Sequence, residues 1–176
     1  MEKKDPMLLF KGPKAPKIVS IEQDKRKRDA RNAESDLQTK ICIWLKKTYP
    51  GILFISDFAA GMQLSPFLAG LRSLHACDAK MVDLIILMPS KADLIYNYHA
   101  LCLELKTGAD KVFMQDGLTL LKNDHILAQY ETIKQLRSLN YAACFACGEV
   151  QIKQLIVDYM NGVYKNPVYI ERVLYI

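Results

Sequence analysis

The first candidates for chemistry in this sequence are two charges set into an apolar strand, Glu104 and Lys106 in LCLELK (101 to 106). Side chains two apart in an extended chain lie on the same side. Glu104 and Lys106 therefore share a face with Tyr98, Ala100 and Cys102, while His99, Leu101, Leu103 and Leu105 take the other. A third charge, Asp83, opens the apolar run VDLIILM, which is separated from the first by the turn residues PSKAD (89 to 93). An antiparallel pairing about that turn can bring Asp83 and Glu104 together, with register as the deciding variable. Two carboxylates at one end of a sheet suit Mg2+, a hard cation that takes oxygen ligands and keeps several waters. Lys106 would then place a positive charge beside a metal-bound water or an attacked phosphate. The plainer alternative is a surface ion pair between Glu104 and Lys106, with Asp83 capping a strand.

The elements that would position these residues follow from periodicity. Leu37, Ile41, Trp44 and Leu45 recur at helical spacing until TYPG, so a helix is expected from about Ala33, carrying Glu34 and Gln38 one turn apart. ILFIS (52 to 56) reads as a strand, and SPFLAGLRSLHA (65 to 76) as a short helix capped by Ser65 with Pro66 in its first turn. VDLIILM and IYNYHALCLELK read as the antiparallel pair, and KVFMQDGLTLLK as a small hairpin about Asp116-Gly117. Asn123 or Asp124 can cap a helix whose Ile126, Leu127, Tyr130, Ile133 and Leu136 form one stripe. YAACFAC is a buried strand and EVQIKQLIVDYM a last amphipathic helix, giving the order α, β, α, β, β, α, β, α.

The 176 residues, about half of them apolar, suit one domain with a sizeable core. The net charge of +5 comes from one end. Residues 1 to 32 hold ten Lys/Arg against five Asp/Glu, and residues 33 to 176 hold fourteen of each. With Pro6, Pro13 and Pro16 followed by EQDKRKRDAR, residues 1 to 32 read as a basic flexible arm ahead of a domain at 33 to 176. Lys25, Arg26, Lys27, Arg28 and Arg31 in that arm can hold nucleic-acid phosphates or serve as a solubilising tail. No apolar run is long enough for a membrane span or a secretory signal, so a soluble, cytoplasmic protein with no membrane partner is expected. Five cysteines, an odd number, suit reduced thiols, and Cys144 and Cys147 read as small buried residues rather than zinc ligands. His75, His99 and His125 show no metal spacing.

Asp83-Leu-Ile-Ile-Leu followed by Leu103-Glu104-Leu105-Lys106 resembles the PD-(D/E)XK nuclease signature. The span from about Glu34 to Met160 is similar to its VRR-NUC branch of phages and bacteria. Glu34 with Gln38 resembles that branch's leading Glu helix, DFAAGMQLSPFLAGL its glycine-containing segment, and HILAQYETIKQLRSLNYAACFACGEV its Gln helix and following strand. The resemblance implies a restriction-endonuclease-like α/β fold, a mixed β-sheet flanked by α-helices. It also implies hydrolysis of DNA phosphodiesters dependent on Mg2+ or Mn2+. In those terms Asp83, Glu104 and the backbone carbonyl of Leu105 bind the metal, and Glu34 binds it or its water shell. Lys106 orients or activates the water, and Gln129, or Gln135 on the same helix, supports Lys106 or the nucleotide. Similarity to Holliday-junction resolvases implies a homodimer and branched DNA in phage recombination or repair. The chain departs from the branch's Gly-x-Pro-Asp, having Lys80-Met81-Val82-Asp83, where Lys80 could meet a phosphate. The alternative is a non-catalytic nucleic-acid-binding protein that retains the nuclease fold.

Overall fold

A computed structural model describes residues 19–56, 81–89 and 97–171. The expected helix at 65 to 76, His75, Lys80, residues 1 to 18 and most of the turn at 89 to 93 lie outside the described residues. So do the side chains of Arg26, Lys27 and Arg31.

Helix α1 runs Val19–Thr48. It therefore begins well before Ala33, and residues 19 to 32, expected as part of a flexible arm, are helical. Nothing between Pro16 and Pro50 breaks a helix, and residues 22 to 33 are mostly Glu, Gln, Lys, Arg and Ala, which favour one. Apolar periodicity starts only where the helix meets the core. Leu37, Ile41 and Leu45 are buried, whereas Lys25 and Arg28 to Ala30 are exposed.

The described strands form one sheet in the order β1 (Phe54–Ser56), β2 (Leu84–Ile86), β3 (Leu101–Lys106), β4 (Ala142–Cys147). β1–β2 and β2–β3 are antiparallel, and β3–β4 is parallel. A parallel neighbour needs a crossover, and α2 (Asp124–Ser138) supplies it. Asn123 caps α2 through its Oδ1, which accepts from the N–H groups of His125 and Ile126. After β4, Gly148 takes a positive φ of 76° and α3 (Glu149–Met160) begins.

The sheet has helices on both faces, the mixed α/β arrangement expected from the sequence. Leu101, Leu103 and Leu105 pack with Leu37, Ile41 and Leu45 of α1 and Ile152, Ile156 and Tyr159 of α3. Cys102, Ala143 and Phe145 pack on the opposite face against Ile126, Tyr130 and Ile133 of α2. Tyr98 does not share a face with Glu104: it packs with the Leu101 cluster, against Tyr164. The regular strand starts only at Leu101, so alternation cannot be carried back to Tyr98. Asp116-Gly117 does turn a short hairpin, with Phe113 bridged to Leu120 and the Asp116 carboxylate accepting from Leu118 N and Thr119 N.

The outer edge of β4 is served by side chains. Ala143 N donates to Asn166 Oδ1, Phe145 N donates to the Tyr169 hydroxyl, and Arg137 Nε donates to the Ala143 carbonyl. This satisfies main-chain groups that would otherwise invite another strand. Cys144 and Cys147 fall on opposite faces of β4, Cys144 in the α1/α3 cluster and Cys147 beside the α2 cluster. Strand geometry thus separates the CxxC pair. Among the described residues no helix is long and apolar enough to cross a membrane.

Candidate functional site

Register decides whether Asp83 meets Glu104. Leu84 pairs with Leu103, so the next rung sets Asp83 opposite Glu104, at the end of β2. The Asp83 carboxylate reaches across to β3, where Leu105 N donates to its Oδ2 at 2.8 Å. N–H and C=O of one strand residue leave on the same edge, so the Leu105 carbonyl is turned to this side also. The carbonyl of Lys106 is turned the other way, accepting from Gly148 N at 2.8 Å.

Glu104 and Lys106 share the α2 face of β3 and are 3% and 6% exposed. Lys106 Nζ donates to Glu104 Oε1 at 2.9 Å. That burial overturns the surface-pair alternative. Gln129, on the buried side of α2, donates through Nε2 to the same Glu104 oxygen, and its own Oε1 is buried with no hydrogen-bond partner. Gln135 is exposed. Glu34 is also exposed, on the turn of α1 before Leu37, and its charge is felt at Asp83.

The electrostatics are those of two acids held together. Burial pushes the Glu104 carboxyl up to about 7, and the Asp83 charge adds to the push while Lys106 opposes it. Burial raises Asp83 as well, against the Leu105 N–H and the Lys106 charge, with Glu34 reinforcing the rise. The two carboxyls share a hydrogen bond that favours the proton on Glu104. Near neutral pH the site therefore exchanges a proton on Glu104, where a cation would favour ionisation of both acids.

Among the described residues no three His, Cys, Asp or Glu side chains form a metal cage. Asp83, Glu104 and the Leu105 carbonyl still form an all-oxygen set of the kind a hard divalent ion takes, completed by water. These residues fit Mg2+ or Mn2+. A cavity of about 350 Å3 near Tyr49, Ile52, Met88 and Met160 lies beyond the other end of β2 and holds no carboxylate or lysine.

The structure thus brings Asp83, Glu104, Lys106, the Leu105 backbone and Gln129 together, with Glu34 at the rim. Lys25 and Arg28 sit on the exposed early turns of α1, away from this cluster in sequence. Sequence reasoning missed Ser56, whose Oγ accepts from Gln38 Nε2 at 2.7 Å. Its only signal was a polar residue closing an apolar strand. It also missed the Leu105 N–H, which composition cannot reveal. His99 is exposed and stacks edge-on against Tyr141, and His125 is exposed.

No family model matches the sequence, and no curated protein matches it. Among solved structures the chain is similar to one titled "VRR_NUC domain protein", at 22% identity and a TM-score of 0.47, over 74% of this chain and 89% of that one.

Proposed function

We propose that the chain is a metal-dependent DNA endonuclease that hydrolyses phosphodiester bonds, with branched DNA of phage recombination or repair as its substrate class. The observation that carries this reading is the buried Glu104–Lys106 pair, with Asp83 facing Glu104 across the strands. Burying two charges beside a half-buried Asp83 at a sheet end gains little stability, whereas a hydrolytic site needs opposite charges at fixed separation. Asp83, Glu104 and the Leu105 carbonyl would hold a divalent ion, which would supply a more acidic water and offset charge on the phosphate oxygens.

The side chains do the rest. Gln129 and Lys106 both engage Glu104 Oε1, which fixes the carboxylate and leaves its second oxygen for the ion. Lys106 carries its ammonium on the same face, where it can hold the attacking water or a phosphate oxygen. Glu34, at the rim, would hold water of the ion's shell, and Lys25 and Arg28 would contact flanking phosphates.

The test is incubation of the purified protein with linear, nicked, branched and single-stranded DNA in Mg2+, Mn2+ or chelator. Cleavage only with metal, lost in Asp83→Asn and Glu104→Gln, is the expected result. DNA binding without cleavage of any substrate in either metal would leave the non-catalytic alternative instead.

A further inference from the structure

Asp83 is held from the sheet and, separately, from α1. Its carboxylate is oriented by Leu105 N, but its main-chain carbonyl accepts from Gln38 Nε2 of α1 at 3.1 Å. The same Nε2 donates to Ser56 Oγ at 2.7 Å. Ser56 pairs with Leu84 in the last described rung of β1–β2, so one amide ties α1 to the ends of both strands. Gln38 adjoins Leu37, whose burial fixes the helix against the sheet, and lies one turn from Glu34.

We infer that Gln38 is a positioning residue that, with Ser56, clamps the backbone of Asp83 and so sets where its carboxylate stands relative to Glu104. The amide contributes two donors, and both are spent on this corner. Without them Asp83 loses its tie to α1 and keeps its carboxylate bond to Leu105. That bond would then be made by a more mobile group. The consequence for ion binding rests on the metal-site reading proposed above, while the clamp itself is a property of the protein without metal.

Gln38→Met keeps the length of the side chain and removes both donors. In the metal-free protein, amide hydrogen exchange of Leu105 should quicken about tenfold while that of Leu103, on the same strand, is unchanged. Mn2+ affinity, read by electron paramagnetic resonance, should weaken about tenfold, as when a ligand's support is removed. Ser56→Ala, a milder change, should move both in the same direction by about threefold. It also keeps the test available if Gln38→Met folds poorly. Unchanged Leu105 exchange in either variant, or equal acceleration at Leu103 and Leu105, overturns the clamp, the latter by showing only general loosening. Selective acceleration at Leu105 in a protein whose wild type binds no Mn2+ would retain the clamp and remove the metal reading.

Discussion

Removing the charge of Glu104 tests the electrostatics of the site without any assumption about substrate. The Glu104 carboxyl, ordinarily at 4.5, stands at about 7 in the fold because it is buried and faces Asp83. A raised folded pKa means that the folded state binds the proton more tightly than the unfolded chain. The stabilisation is complete below pH 4.5 and is lost as pH rises through about 7. The size follows from the shift: about 3 kcal/mol over the whole range, most of it between pH 5 and 7.5. Asp83, also raised, adds to the fall in the same sense. Urea unfolding in chelator at several pH values, for wild type and Glu104→Gln, measures it together with the part of the Asp83 rise that Glu104 influences, because contributions from distant groups cancel in the difference. Wild type should lose stability relative to Glu104→Gln as pH rises. Parallel curves, or a wild type that gains on the variant over this window, would refute the buried-acid argument.

Mg2+ should stabilise the wild type increasingly as pH rises, by about 2.7 kcal/mol at a hundredfold excess over its dissociation constant, and Asp83→Asn should lose most of that gain in thermal melts. Lys106→Met should cost up to about 3 kcal/mol of stability, the usual cost of stranding a buried partner being reduced because Glu104 can take up a proton. Its single-turnover cleavage should fall at least about 100-fold with DNA binding nearly kept, and Lys106→Arg should rescue poorly. Replacing Lys25 and Arg28 by Gln should reduce the salt dependence of DNA affinity by about 0.9 for each phosphate these residues neutralise; an unchanged slope would assign them to solvation alone.

The choice between Gln129 and Gln135 was legible in the sequence. On a helix of about 100° per residue, Gln129 falls among Ile126, Tyr130 and Ile133, while Gln135 lies opposite them. The first is buried and the second exposed. The meeting of Asp83 and Glu104 was only half legible: alternation placed each residue near a strand end, but the rung depends on the connection between β2 and β3, and a slip of one residue would turn Glu104 to the other face. The start of α1 was illegible for a different reason. Residues 22 to 33 are mostly helix-forming types with no apolar stripe, so the periodicity that reveals a packed helix is absent from the sequence there. The side taken by Tyr98 was hidden because no glycine or proline marks where the strand becomes regular. The Gln38 hydrogen bonds join residues 18 and 45 positions apart, a closeness that only tertiary packing creates.

The charge balance of the cluster links its parts. With both acids ionised, Asp83, Glu104 and Lys106 together carry one net negative charge in a largely dry corner. A proton on Glu104 removes it, and burial, with the Asp83 charge beside it, pushes that carboxyl to about 7. In the proposed reading Asp83 and Glu104 would release this proton on holding a divalent ion, and the corner would then carry one positive charge, matched to the single negative charge of a phosphodiester. Without Lys106 the same corner would be neutral with the ion bound and would give the phosphate no net attraction. Without Glu104 it would carry excess positive charge and lose an anchor for Lys106. The pair is therefore better explained by what it does to an incoming anion than by what it adds to folding, since a buried ion pair could be replaced by apolar side chains at little cost to stability.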